Sequence, residues 1–301
     1  MKKSTFPVYD IATLSDFKQE DIQISRFAPY LEVHPNLHSP HKHSFYHLVL
    51  FTEGGGSHAI DFNSFKVKPF QVYFMIPGQV HSWSFEGHVD GYVINFSGQF
   101  FQSLLLNPDY LEQFAFFDGI AENAVVDLPE EMQNEVRALF ERIVSESESI
   151  GPLSADMVKT LLLQFFISVS RLGIQQIRPS VSTYNYTLFK SFQRLVEKNF
   201  ATLKLPRDYA ALLYITPNHL NALCNEVMNL SAGEVIRNRI VLEAKRLLMN
   251  FDLSISEIAY RLNFQDNSYF TKFFKKLENI GPEEFRKHFN IKDHENNTKL
   301  K

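Results

Sequence analysis

The sequence predicts an α+β protein of two domains, in which a β-barrel or β-sandwich is followed by an all-α part. Between residues 22 and 100, short stretches rich in Phe, Val, Ile and Tyr alternate with turn signals at intervals of about 8–12 residues, which is typical of small all-β domains. From Pro129 onward, apolar residues recur at helical spacing instead. A chain of 301 residues is long enough for two such domains.

Composition excludes several classes of protein. The chain is 45% apolar and 21% charged, as is usual for globular proteins. Its one cysteine, Cys224, excludes a disulfide framework and a cysteine-based zinc site. No apolar stretch follows the two lysines at the N-terminus, as a signal peptide requires, and the longest apolar run, residues 161–169, is far shorter than the ~20 residues that span a bilayer. We therefore expect a cytoplasmic protein with no membrane partner.

Charge is distributed unevenly along the chain. Residues 1–184 hold 12 basic and 21 acidic side chains, whereas residues 185–301 hold 18 basic and 13 acidic ones. The C-terminal part is therefore positive and the N-terminal part negative. Only the C-terminal part is suited to a polyanionic partner such as nucleic acid.

The elements follow in order along the chain. Residues 58–68 read as a β-hairpin with its bend at Asn63-Ser64. A helix is predicted around 132–144, and a second from about 154 to 172 with apolar residues over a wide arc, which makes it a candidate dimerisation helix. The predicted division is a barrel at 1–128, a helical dimerisation segment at 129–172, a linker at 173–184, a helical domain at 185–290 and a polar tail at 291–301.

The helical part contains one pattern twice. In each copy a short helix, a tight turn and a second helix follow one another, at residues 205–227 and 254–277. Thr216 and Asp266 stand at the N-cap positions of the second helices. Between the copies lies one long helix, 231–249, with a capping box formed by Ser231 and Glu234.

Two short helices joined in this way form a helix-turn-helix unit, whose second helix fits the major groove of DNA. In the later copy, small polar residues come first and lysines follow, which suits base edges and then phosphates. A plain helical bundle with a solvated lysine face would produce one such pattern. Two copies with matching caps favour DNA recognition.

These residues resemble the signature of the AraC/XylS family of bacterial transcription regulators. The resemblance covers about 185–289 and is carried by Ile258-Ala259, Phe264, Tyr269-Phe270, Phe273-Phe274-Lys275 and the Pro282–Arg286 motif. It implies a seven-helix domain with two recognition helices in successive segments of the major groove. The DNA-facing positions carried over are Asn218, Asn221, Ala222 and Asn225 in the first helix, and Asn267, Ser268, Thr271 and Lys272 in the second, with Lys275 near the backbone.

The sequence departs from this family at three positions. Many members have Arg near 222 and Lys near 225, where this chain has Ala and Asn. Gly281 replaces the usual Ser or Thr before Pro282, with an effect that we expect to be local. The first two departures predict that the second recognition helix supplies more of the affinity for DNA.

The N-terminal part resembles the two motifs of the cupin barrel. His41, His43 and His47 follow the first motif, with His47 in place of its carboxylate, and His81 follows a Pro-Gly turn as in the second. Alternation along a strand places His41, His43 and His47 on one face. Trp83 is two residues after His81 and is therefore expected on the same face of the strand. It either lines the same cavity or packs in the core. Imidazoles suit transition metals, but these side chains also suit a metal-free pocket.

From the two resemblances we predict a non-enzymatic regulator with a cupin-like sensor barrel and a double helix-turn-helix reader. Its expected partners are double-stranded DNA, RNA polymerase, a small-molecule effector and a second copy of the chain. The effector pocket is predicted at His41, His43, His47, His81 and Trp83, with no resident metal or cofactor. A metal-dependent cupin enzyme fused to a DNA-binding domain, and a regulator controlled only by its abundance, remain open alternatives.

Overall fold

The structure, a computed structural model, describes residues 7–14, 21–107, 110–149, 151–174 and 182–288. Most of the predicted linker (175–181) and the predicted polar tail (291–301) lie outside the described residues. The described residues divide into two compact units, one within residues 7–174 and the other within residues 182–288.

In its described residues, the N-terminal unit contains two five-stranded sheets. The first sheet has the order β1 (Val8–Tyr9), β3 (His41–His43), β8 (Val80–Phe85), β5 (Gly56–Ile60) and β6 (Asn63–Lys66). The second has the order β10 (Val125–Asp127), β7 (Gln71–Met75), β4 (Tyr46–Glu53), β9 (Asp90–Phe96) and β2 (Ile22–Arg26). All neighbouring strands are antiparallel except β1 and β3. Two short helices, α1 (Ile11–Leu14) and α2 (Phe27–Val33), flank β2.

The second sheet is buried on both faces. Along β4, Leu48 and Leu50 point to one apolar cluster, whereas Val49 and Phe51 point to another. Because both faces exclude water, the central strands of this sheet read as continuous apolar runs rather than as an alternation. The cluster of Val49 and Phe51 also contains Trp83 of the first sheet, so it lies between the two sheets.

Two long helices cover the other face of the second sheet. In α3 (Glu130–Glu148) and α4 (Ser154–Ile174), the rings of Phe140, Phe165 and Phe166 are fully buried in the same cluster as Leu48 and Leu50. This packing accounts for much of the wide apolar arc of α4. A dimerisation role for α4 stays a prediction.

The predicted hairpin at 58–68 is confirmed, but its predicted bend is wrong. Asn63 and Ser64 are paired strand residues opposite Ile60 and Ala59. The bend lies at Asp61-Phe62, where Asp61 has a left-handed backbone with φ 52°. Asp tolerates this conformation better than most residues, and the Asp61 carboxylate accepts a hydrogen bond from the backbone N–H of Val80 at 3.3 Å.

The C-terminal unit is helical throughout its described residues. Its helices are α5 (Thr183–Asn199), α6 (Pro206–Leu212), α7 (Pro217–Met228), α8 (Ala232–Leu248), α9 (Ile255–Arg261), α10 (Asn267–Glu278) and a helical segment, α11, at 282–288. The predicted capping box of the long helix is present, with the Glu234 side chain accepting from the backbone N–H of Ser231 at 2.7 Å.

Charged side chains hold these helices together. The Arg239 Nε of α8 lies 2.7 and 2.8 Å from the two carboxylate oxygens of Glu197 in α5. Arg286 of α11 donates to the carbonyl oxygens of Leu248 and Leu253, at 3.0 and 2.8 Å. Those carbonyls end α8 and precede α9, where a helix itself offers no partner. The two helix-turn-helix units are therefore held on one scaffold.

Candidate DNA interface and histidine cluster

The first helix-turn-helix unit consists of α6 and α7. The Thr216 hydroxyl oxygen accepts a hydrogen bond from the backbone N–H of His219 at 3.1 Å, which caps α7. Leu220, Leu223 and Cys224 form its buried face. The helix ends at Asn229, which has a left-handed backbone with φ 55°. The N-cap agrees with the sequence prediction.

The second unit, α9 and α10, is built in the same way. The Asp266 carboxylate accepts from the backbone N–H of Tyr269 at 2.7 Å, and Phe270 and Phe274 are fully buried. Asn279 ends α10 with φ 62°. The repeat seen in the sequence therefore corresponds to two structural copies of one unit.

The turns of the two units share a left-handed residue. Tyr214 has φ 56° and Asn263 has φ 53°. In each turn the next residue donates a backbone hydrogen bond to the carbonyl oxygen five residues earlier. Ile215 donates to Ala210, and Phe264 donates to Ala259. The turn of the second unit has one residue more before the cap, so the two units are not identical in detail.

Most of the predicted DNA-facing residues are on the exposed side of their helices. Asn218, Ala222 and Asn225 are exposed on α7, and Asn267, Ser268, Lys272 and Lys275 are exposed on α10. Thr271 is half-buried, and its hydroxyl lies 3.4 Å from the side-chain oxygen Oδ1 of Asn267. Each group is therefore brought together on one helix face and opposite a buried apolar face. Their roles at DNA stay predictions.

Asn221 differs from the other predicted residues because part of its side chain is engaged. Its carbonyl oxygen accepts a hydrogen bond from the backbone N–H of Ala232, at 3.0 Å, in the first turn of α8. This bond satisfies one of the N–H groups that have no partner at a helix start. A side chain that holds α8 in this way has less freedom to reach a base edge.

Lys204 links the two helix-turn-helix units. It precedes α6, and its Nζ donates to the carbonyl oxygen of Asn263 at 2.6 Å and lies 3.5 Å from the centre of the Phe264 ring. Partial burial lowers the pKa of this amine to about 8. The contact ties the segment before the first unit to the turn of the second, and sequence analysis did not identify it.

The barrel brings together the four predicted histidines and a fifth. His41 and His43 come from β3, His47 from β4 and His81 from β8, where it is paired directly with His41. The fifth is His58 of β5, whose Nε2 lies 3.1 Å from the Nδ1 of His81. All five side chains are buried. His58 and Ile60 are two residues apart on one strand, so the apolar Ile60 could have indicated that His58 also points inward.

The predicted continuous strand through His41 and His47 is wrong. The chain bends at Ser44-Phe45, so β3 joins the first sheet and β4 the second. The two sheets face each other across this bend, which brings His47 back to the others. Its ring centre lies 4.7 Å from that of His43 and 5.3 Å from that of His81.

Two of these rings are oriented by acceptors at Nδ1. The Nδ1 of His41 lies 2.7 Å from the carbonyl oxygen of Ser39. That of His47 lies 2.5 Å from the side-chain oxygen of Asn95, whose amide in turn donates to Gln23 at 2.8 Å. Because these acceptors cannot donate, both Nδ1 atoms carry the proton and both Nε2 atoms have a free lone pair. Asn95 was missed in the sequence, although it is a single amide inside an apolar strand.

Several imidazole nitrogens of this cluster are unsatisfied. Among the residues that the structure describes, four buried nitrogens have no hydrogen-bond partner: His43 Nδ1, His47 Nε2, His58 Nδ1 and His81 Nε2. Burial lowers the pKa of His41 to about 4 and that of His47 to about 3, and it lowers the pKa values of the other three well below the usual range. The rings are therefore neutral at pH 7.

Trp83 lies beside the cluster. Its ring stacks on that of His58 with 3.4 Å between ring centres, and its centre is 5.6 Å from that of His81. Phe27 and Phe51 pack against its other sides. The side chain thus belongs both to the core between the sheets and to the wall of the histidine cluster.

Across the described residues, no helix has the length and hydropathy needed to cross a membrane.

Comparison with known proteins bears on both units. A family model described as an AraC-like ligand binding domain matches residues 30–166, and one described as a helix-turn-helix domain matches residues 209–288. The transcriptional activator RhaR of Mannheimia succiniciproducens is 21% identical over 83% of this chain and 87% of its own length. The uncharacterised regulator YijO of Escherichia coli is 28% identical, over 34% of this chain and 36% of its own.

Among solved structures, ToxT from Vibrio cholerae with a bound unsaturated fatty acid is 15% identical, with a TM-score of 0.42, and the match covers 90% of this chain and 97% of that one. The two family models fall in the two compact units in the order expected of such a regulator. The chain therefore belongs to the AraC/XylS family of DNA-binding transcription regulators with an AraC-like ligand-binding domain.

Proposed function

We propose that this regulator reads DNA through α7 and α10 and responds to an effector at the histidine cluster of its barrel. In this proposal the base-reading positions are Asn218, Asn221, Ala222 and Asn225 of α7 and Asn267, Ser268, Thr271 and Lys272 of α10, with Lys275 at a phosphate. The observation that carries it is the pair of capped helices, each with a buried apolar face and an exposed polar one.

The spacing of the two units supports simultaneous binding. The connecting helix α8 has 17 residues, which makes it roughly 26 Å long at a rise of ~1.5 Å per residue. Successive major-groove segments on one face of B-DNA are ~34 Å apart. A helix of this length, with a helix-turn-helix unit at each end, suits two such segments. Lys204 favours a fixed arrangement, because it ties the segment before the first unit to the turn of the second.

The sensing site is proposed at His41, His43, His47, His81 and Trp83. These side chains are buried and converge from both sheets, so anything bound there contacts strands on which the whole barrel depends. An effector changes DNA binding only if it has different affinities for two states of the protein. The unsatisfied nitrogens supply such a difference, because a ligand that engages them stabilises the arrangement that it binds.

The remaining roles follow from the family. We propose that the chain is a homodimer formed through α4, that it acts on RNA polymerase, and that it activates transcription, as the name of the RhaR relatives states for them. We propose no catalytic role for it, and we place it in the cytoplasm because its partner is chromosomal DNA.

Selection of DNA from a random pool with the full-length protein tests the reading function. We expect an enriched motif with two conserved elements whose centres are about one helical turn, ~10 base pairs, apart. The matched control is a protein with Asn267→Ala and Lys272→Ala, which should lose the element contacted by α10. A pool that shows no enriched motif after selection with the folded protein would contradict the proposal.

A further inference from the structure

The strongest unexplained feature of the molecule is the histidine cluster. Five buried neutral imidazoles share one region, and four of their nitrogens have no partner among the described residues. A buried polar atom without a partner destabilises the folded protein. A cluster with four such atoms is therefore poorly explained as a set of core residues.

We propose that the barrel holds a late first-row transition-metal ion, of the cobalt, nickel, copper and zinc group, with His41, His43 and His81 as its ligands. One possible ligand atom from each of these three side chains lies within 4.8 Å of the others. The Nε2 atoms of His41 and His43 are 3.1 Å apart, and two nitrogens that share a metal at ~2.1 Å are separated by ~3.0–3.4 Å. The sequence alone favoured a metal-free pocket, and the unsatisfied nitrogens reverse that preference.

The atoms around the cluster are arranged as those around metal-binding histidines usually are. A ligating imidazole typically donates its other N–H to a carbonyl or carboxylate, which orients the ring. Ser39 plays this part for His41, and the Nε2 of His58 lies at the right distance to do so for His81. The Nε2 atoms of His41 and His81 then have free lone pairs.

A metal-free cluster leaves a specific mismatch. Since the Nδ1 of His41 carries its proton, the 3.1 Å contact with His43 requires His43 to donate from Nε2. The Nδ1 of His43 is then a buried acceptor without a donor, as is the Nε2 of His47. A metal replaces the His41–His43 hydrogen bond with two coordinate bonds, for which the His43 proton moves from Nε2 to Nδ1, and it engages the Nε2 of His81. The ring centre of His47 lies 4.7 Å from that of His43, beside these three ligands.

The kind of metal follows from the donors. Neutral imidazoles suit zinc, copper, nickel and cobalt, whereas magnesium and calcium require oxygen ligands. Three histidines also leave a coordination position open for water or a small anion. This inference deepens the proposed sensing function, because a metal at this place is either the effector or the group to which an anionic effector binds.

The single tryptophan makes the site directly observable. Trp83 lies 5.6 Å, between ring centres, from His81, so Cu²⁺ or Co²⁺ bound in the cluster quenches its emission, while an ion bound at a distant surface site does not. We expect titration of metal-stripped full-length protein with Co²⁺ or Cu²⁺ to quench Trp83 with a stoichiometry of one ion per chain. Equilibrium dialysis with Zn²⁺ should show the same stoichiometry.

Two variants and a control test the ligands. The His41→Ala/His43→Ala protein should bind at least about 100-fold more weakly, and His58→Phe, which removes the acceptor that orients His81, should bind about 10–100-fold more weakly. His88→Ala, which changes an exposed histidine of the same domain, should bind like the wild type. Far-UV circular dichroism verifies that each variant is folded, and His43→Gln replaces the double variant if that protein is not.

The outcomes separate the two proposals. Folded wild-type protein that shows neither quenching nor bound Zn²⁺, or binding that is equal in the ligand variants and in His88→Ala, would overturn the metal site. Selection of DNA is measured on the same preparations, both metal-stripped and loaded with Zn²⁺, so that an effect of the ion on DNA binding does not hide the reading function. A protein that selects a DNA motif but binds no metal would overturn only the metal inference, whereas metal binding without motif selection would overturn the proposed reading function.

Discussion

The recognition helices α7 and α10 begin and end in the same way but present different surfaces. Both start at a side-chain cap and end at a left-handed Asn, and both bury an apolar face. However, α7 contains no lysine or arginine, whereas α10 contains three lysines, all of them exposed. The scaffold has been repeated while its surface chemistry has diverged. From this comparison we expect the two units to contribute equally to folding and unequally to DNA binding.

Removing a core side chain from either helix should therefore have the same large effect. Leu220→Ala in α7 should destabilise the C-terminal unit by ~2–5 kcal/mol and Phe270→Ala in α10 by ~3–5 kcal/mol, because both side chains are fully buried and leave a cavity. Urea unfolding followed by far-UV circular dichroism measures this loss. The emission of Trp83, which lies in the barrel, serves as an internal control. A large loss in only one of the variants would show that the units differ in structural importance.

Substitutions at the base-reading positions should weaken specific DNA binding more in α10 than in α7. Asn267→Ala or Lys272→Ala in α10 should cost ~1–3 kcal/mol on the specific DNA site and little on random DNA, because base contacts discriminate between sequences. We expect Asn218→Ala in α7 to cost less. Fluorescence anisotropy on both kinds of DNA gives the two affinities. If Asn267→Ala weakens binding to random DNA as much as to the specific site, its assignment to base reading is wrong.

A smaller effect is expected at the phosphate contact. Lys275→Ala should weaken binding to all sequences and make the dependence of log K on log salt concentration less steep by about one unit, because one counterion fewer is released. The control is Lys198→Ala, at an exposed position in the last turn of α5. Equal slopes for wild type and Lys275→Ala would place this lysine away from the DNA.

The helical unit was easier to predict from the sequence than the barrel. Thr216, Asp266 and Ser231 were identified as caps because capping depends on residues three positions apart, which lie close in the chain. Lys204 and the engagement of Asn221 were not foreseen, because both depend on contacts between segments that are distant or differently folded.

In the barrel, local pattern was a weaker guide. The resemblance to the cupin motifs identified His41, His43, His47 and His81, but the bend at Ser44-Phe45 and the turn at Asp61-Phe62 depend on how strands pair. His58 and Asn95 join the cluster only through cross-strand neighbours, and such partners cannot be read from a single strand. The sequence therefore predicted which histidines group together better than it predicted their hydrogen-bond partners.

Hydroxyl-radical footprinting of the full-length protein tests most directly whether the two units read one duplex together. On the selected site, we predict for each copy of the protein two protected major-groove segments one helical turn apart. Inserting five base pairs between them, half a turn, should preserve protection by α10 and abolish protection by α7, since the Lys204–Asn263 hydrogen bond links the segment before the first unit to the turn of the second. Protection of only one segment on the original site, or of both segments after the insertion, would contradict this account.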